Sequence, residues 1–179
     1  MSDPVTNVIE GIDVIDHLAG EGEGGQIGRL RSLRPQAREN AQRSYEALLE
    51  PQDERSVPIR ERYAVAAHVA RLHGPGPAAD LYLENLHDED PELAARIAAG
   101  ERTGQERLDA ALAHAELLVL HPRDAEPAHL RALEAAGWDA DGIITLSQLV
   151  SFVTFQLRIA HGLRVLAATP ATETTEELR

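Results

Sequence analysis

The chain has 179 residues, with 30 Asp and Glu against 17 Lys and Arg, a net charge of −13, and no Cys. That balance repels phosphate backbones and anionic lipid, so neither nucleic acid nor a membrane surface is an expected partner. The lack of cysteine excludes disulfides, thiolate metal sites and thiol catalysis within the chain. The length suits one domain, expected over 1–168, with its own core.

The first stretch, 1–25, reads as a loosely built lead-in. NVIEGIDVIDHLAG carries Val8, Ile9, Ile12, Val14, Ile15 and Leu18, enough for a short helix or turn, and GEGEGG at 20–25 breaks it. Such an arm packs either against a neighbouring subunit or over its own core. It has no basic n-region and no apolar h-region, so no secretory signal is expected and the protein is placed in the cytoplasm. Gln26–Leu33 is short and basic. Pro35 then opens a helix over 36–49, with Ala37, Ala41, Tyr45 and Leu48 on one face, ended by Pro51. Ser56 and Pro58 signal the start of the next helix, Ile59 to Leu72, with Ile59, Tyr63, Ala66, Ala67, Ala70 and His73 inward.

GPGP at 74–77 is a hard stop, followed by a short helix over 78–86 and the acidic turn HDEDP. Asp90 caps, and Pro91 opens, a helix over 91–99. A helix from Thr103 or Gly104 to Leu120 turns Leu108, Leu112, Ala115, Leu118 and Val119 inward, and Pro122 breaks it. Another follows over 126–136, with Gly137 just past its end.

Asp139 or Asp141 then caps the longest element, Ala140 to Ala168. Its polar residues Ser147, Ser151, Thr154, Arg158 and His161 recur at steps of four and three, which makes one narrow stripe on an otherwise apolar helix. Such a helix must be covered on most sides, by its own domain or by an oligomer. Gln148, Gln156, Arg158, His161 and Arg164 interrupt it, so a membrane span is not expected. The tail from Thr169 to 179 lacks apolar spacing and is expected to be disordered. No alternating strand pattern occurs, so the fold class is all-α.

Two segments carry a family likeness: IRERYAVAAHVARLHG at 59–74 and HLRALEAAGWDADGIITLSQLVSFVTFQLRIAHGL at 129–163, joined by HAELLVLHPRDAEPA. Together they resemble the carboxymuconolactone decarboxylase-like superfamily, which includes the alkylhydroperoxidase D proteins. The likeness covers about 59–166, with 1–50 as an N-terminal extension of the kind found in the longer peroxidase-related branch. It implies an alkylhydroperoxidase D-like helical bundle with one long central C-terminal helix, and a homo-oligomer (dimer, trimer or hexamer).

The resemblance also implies a thiol relay: a glutamate, then CxxC, then a histidine, in which one thiolate attacks a peroxide and the other resolves it. Carried onto this chain, the glutamate position falls on Tyr63, the two cysteines on Pro75 and Ala78, and the histidine on Tyr82. All four are lost, so a disulfide-based peroxidase is excluded and catalysis itself is left open. Glu61 lies two residues from the glutamate position, ~200° around the helix, and reads as a first-turn charge.

The decarboxylase members imply proton transfer on a carboxylate or lactone, which needs a cation and a group titrating near neutrality. Candidates are His68, His73, Tyr63 and Arg158, with His161 one turn from Arg158. The alternative for Arg158 is a salt bridge, within the chain or between subunits, or a place in the solvent-facing stripe; for the whole chain, it is a non-catalytic oligomer binding a small molecule or a partner. His114 and His121 share a face without a third ligand, so no metal and no cofactor is expected. Trp138 reads as a hydrophobic plug. Neither a P-loop nor a GxSxG elbow occurs.

Overall fold

The structure, a computed structural model, describes residues 13–20 and 25–168. The readings for 1–12, most of GEGEGG and the tail 169–179 lie outside those residues. The described residues form α1 (Val14–Leu18), α2 (Gln26–Ser32), α3 (Pro35–Leu49), α4 (Ile59–Leu72), α5 (Pro77–Glu89), α6 (Pro91–Ala99), α7 (Glu106–Leu120), a 3-10 turn (Pro122–Asp124), α8 (Pro127–Ala135) and α9 (Ala140–Ala168). The fold is all-α, as the periodicity requires. α5 runs three residues beyond its expected end, and α7 starts two residues later than Gly104.

Proline and glycine set most of these limits. Pro35, Pro77, Pro91 and Pro127 each sit in a first turn, where the missing N–H costs nothing. Asp90 caps α6 by accepting from the Leu93 N–H. Gly137, at φ +95°, closes α8 with Trp138 N–H bonded back to the Leu133 carbonyl. Asp139 accepts from the Gly142 N–H at the head of α9. Ser56 does not cap α4: its hydroxyl donates to Asp139 at 2.6 Å, tying the approach to α4 to the start of α9.

α4 is the most enclosed element. Residues 61–67, Val69 and Ala70 are buried, and α3, α5, α6, α7 and α9 all pack against it. Its alanines let those neighbours come close. Arg62 is buried without a salt bridge among the described residues and donates to the carbonyls of Leu48, Glu54 and Val57, which fixes the loop between α3 and α4. α9 runs the length of the bundle and touches α1, α2, α3, α4, α7 and α8. Leu146, Leu149 and Val153 are fully enclosed, each worth roughly 1.5–3 kcal/mol of burial.

The other side of α9 is bare: Ile144, Phe155, Ile159, Val165 and Leu166 are 38–59% exposed. By length and mean hydropathy (1.5 over 18 residues) α9 would suffice to cross a membrane, a test that core helices of soluble bundles also pass.

The arm reading resolves for its described part. Val14, Ile15 and Leu18 of α1 are buried on the chain's own α3 and α9. Asp13 and Asp16 are buried with them and clasped by Arg31, with Arg38 reaching both.

Candidate anion-binding site

The GPGP turn carries the chain from α4 to α5. His73 ends α4, Gly74 takes φ +111°, and Pro77 opens α5 with its first turn uncapped by any side chain. The last third of α9 crosses in front of this turn. Between them lies a cleft of about 390 Å³. Its cationic and titratable lining is His73, Arg158, His161 and Arg164. Its apolar wall includes Leu18, Pro75, Pro77, Ala78 and Leu157, and no described acidic side chain lines it. In a chain of net charge −13, that is a local reversal of sign. The head of α5 adds the positive end of a 13-residue helix.

Arg158 is exposed on α9 and makes no hydrogen bond or ion pair among the described residues, so a salt bridge within the chain is not what the geometry shows, while its expected place in a solvent-facing stripe is. Arg164 spends one donor on the Leu18 carbonyl at 2.8 Å. His73 Nε2 lies 3.4 Å from Thr154 Oγ1. Partial burial, and then the charge of Arg158, pull the His73 imidazole below its ordinary value. It is therefore neutral at pH 7 and able to accept a proton.

The structure brings His73, Arg158 and His161 together and leaves Tyr63 and His68 elsewhere. Tyr63 is in the core, its hydroxyl donating to Glu50 at 3.3 Å. Its neighbours are Tyr45 and Tyr82, and burial pushes all three phenols far above their usual range. His68 is half-buried between α4 and α7, lowered first by burial, with its Nε2 unpartnered among the described residues. The four positions onto which the resemblance carries the relay divide likewise: Pro75 and Ala78 line the cleft, while Tyr63 and Tyr82 are core. Arg164 and Leu18 are cleft residues that the sequence marked only as an interruption of the long helix and as an apolar residue of the arm. A second arginine six residues after Arg158 was the available signal for the first; nothing local signals Leu18.

Other candidates resolve as structure. Glu61 is buried and ion-paired with Arg107, and Trp138 is a core residue stacked on that same arginine. His114 is buried on α7, and His121 is exposed at its end. No group of three or more metal-capable side chains occurs among the described residues.

This arrangement of helices is that of the alkylhydroperoxidase D core. Among solved structures, the chain is similar to an uncharacterised peroxidase-related protein from Ralstonia eutropha JMP134, described as an alkylhydroperoxidase AhpD core. The TM-score is 0.66 at 14% identity, over 87% of this chain and 86% of that one. No family model and no curated protein matches the chain.

Proposed function

We propose that the cleft binds a small carboxylate-bearing molecule and that His73 moves a proton on it. The observation that carries this reading is the convergence of Arg158, Arg164, His161 and His73 on the uncapped head of α5, with no described acid among them. An arginine fork grips a carboxylate bidentately. The neutral imidazole beside it supplies a base, and the apolar wall supports exclusion of water from the far side of the ligand. The chain has no sulfur nucleophile, so the chemistry is acid–base and not a disulfide relay. The fold likeness, with the motif pattern read in the sequence, supports descent from the carboxymuconolactone decarboxylase-like superfamily. The domain then runs over 1–168, with 59–166 as its shared core. The acidic composition and the place of α9 in a packed bundle support a cytoplasmic protein.

Calorimetric titration with acetate, succinate and inorganic phosphate tests the reading. The wild type is expected to bind at least one carboxylate, and more tightly at about pH 6 than at pH 7.5 because the anion favours protonated His73. Arg158→Ala is expected to abolish binding. A wild type that binds none of the three probes overturns the reading.

The inert Pro75 and Ala78 in the cleft wall favour a second reading, in which the same anion is held without turnover. Solvent deuterium entering the carbon next to the bound carboxylate separates the two.

The bare face of α9 supports a further part of the proposal, that a second copy of the chain covers it. Phe155 lines a groove of about 870 Å³ between α3 and α9, and Ile144 and Ile159 are exposed on the same helix. Contiguous apolar surface of this kind marks a contact site.

A further inference from the structure

We propose that α1 is a working part of the anion site: its docking positions Arg164, so that anion binding and the folding of α1 onto the bundle are coupled. The inference rests on the anion-binding reading above and concerns how that site is regulated.

A five-residue helix does not hold itself together in water, because the nucleation cost is not repaid over so short a length. α1 persists for three reasons outside its own backbone ladder. Asp13 caps it, accepting from the N–H groups of Ile15 and Asp16. Val14, Ile15 and Leu18 are buried against α3 and α9. The carboxylates of Asp13 and Asp16 are held by the Arg31 guanidinium, with Arg38 at 3.1 Å from Asp16 Oδ2. This clasp sits at the end of α1 away from the cleft; none of its four residues lines the cleft.

The other end of α1 is the cleft. The Leu18 side chain forms part of its wall, and the Leu18 carbonyl accepts from Arg164 Nη1 at 2.8 Å. Arg164 lies one turn from the end of α9, and its neighbours Val165 and Leu166 are exposed. The Leu18 carbonyl is the partner the structure gives its guanidinium. A guanidinium has five donors in a rigid fork, so one bond to Leu18 fixes its plane and leaves others for an anion. Without α1, the ligand must itself immobilise a long, flexible side chain, and affinity falls accordingly. Linkage makes the effect mutual: an anion that prefers positioned Arg164 also stabilises docked α1.

The experiment pairs hydrogen exchange at the amides of Ile15–Ala19 with calorimetric titration of the full chain, using whichever of acetate, succinate or phosphate the wild type binds. A saturating probe is expected to slow exchange in α1. Asp16→Asn removes one of the two carboxylates of the clasp, leaving Asp13 on Arg31 and Arg38, and does not touch the cleft. It is expected to speed exchange in α1 and to weaken the probe by roughly five-fold, about the worth of one immobilised side chain. Arg164→Lys keeps the charge and loses the fork. It is expected to leave α1 docked, to weaken the probe, and to abolish the protection that the probe confers on α1. The Lys variant alone decides the question if the Asn variant fails to fold.

The coupling is overturned if the probe binds the wild type yet leaves α1 exchange unchanged. It is overturned equally if Asp16→Asn frees α1 with unaltered probe affinity, or if the Lys variant still shows protection. A wild type that binds no probe removes the anion site itself, and with it the coupling.

Discussion

Arg107 and Trp138 hold each other in two ways. The guanidinium lies 3.8 Å from the centre of the indole, and the indole Nε1–H donates to the Arg107 backbone carbonyl at 2.8 Å. The same guanidinium pairs with buried Glu61 and reaches the Ser56 carbonyl. One side chain therefore joins α7 to the head of α4 and to the turn before α9. Arg107→Ala strands the Glu61 carboxylate, and we expect a loss of about 3 kcal/mol. Arg107→Lys keeps the charge but loses the stacked plane and the fork, and should recover less than half of that. Urea denaturation of both variants checks this. Equal stability of the Ala variant and wild type would show that Glu61 does not need the pair.

Tyr82 donates to Gln156 Oε1 at 2.6 Å, with both residues fully enclosed between α5 and α9. Tyr82, the position onto which the resemblance carries a relay histidine, is a core contact. Tyr82→Phe removes the hydroxyl, and the Gln156 oxygen is left buried without a donor, at a cost of about 1–3 kcal/mol. Anion binding in the cleft should be unchanged, because neither residue lines it. A denaturation midpoint that stays put, or a probe affinity that drops, would contradict this assignment.

The limits of α4 and α9 were legible because the punctuation is strong: Pro58 and Gly74 around one, Gly137 and Asp139 before the other. The helix α2 was not expected, since Gln26–Ser32 offers only Ile27 as a buried anchor. The site was half legible. Arg158 and His161 share a face of α9 by spacing alone, and His73 sits beside the glycine turn. That His73 and Arg158 meet depends on how α9 lies across α4 and α5, which no local pattern encodes. His68 fell outside for a reason the spacing contains: five residues from His73 is ~140° around a helix, so the two point apart. Arg164 gained its role from α1, which is nearly the whole chain away in sequence.

Acid should destabilise the protein from near neutrality downward. His68, His73 and His114 are all pulled below their ordinary value, chiefly by burial. Each is neutral in the folded chain at a pH where its unfolded counterpart has taken a proton. The unfolded state then binds more protons, so stability is full above about 6.5 and is lost as pH falls below it. Asp109, held low by the Thr103 hydroxyl and N–H, acts in the same direction further down. Its contribution is present above 3.8 and is lost as pH falls through the lowered value. Melting temperatures across this range should drop toward acid, and His114→Gln should flatten the upper part of the fall. A melting temperature that rises on acidification from pH 7 would refute the assignment.

The unburied side of α9 makes the last prediction. Ile144, Phe155, Ile159 and Leu166 recur near helical spacing and are 38–59% exposed, while the face beneath them packs on the core. Covering what is left exposed of such a side chain is worth roughly half of the 1.5–3 kcal/mol of a full burial. Two copies meeting along this face recover that without moving the bundle. Phe155→Asp places a charge in the middle of the stripe without entering the core, so the fold should survive. Sedimentation at micromolar concentration should give a species heavier than one chain for the wild type, and a single chain for the variant with unchanged helical circular dichroism. A wild type that sediments as a monomer overturns the expected oligomer. If wild type and variant form the same oligomer, the contact lies on another face.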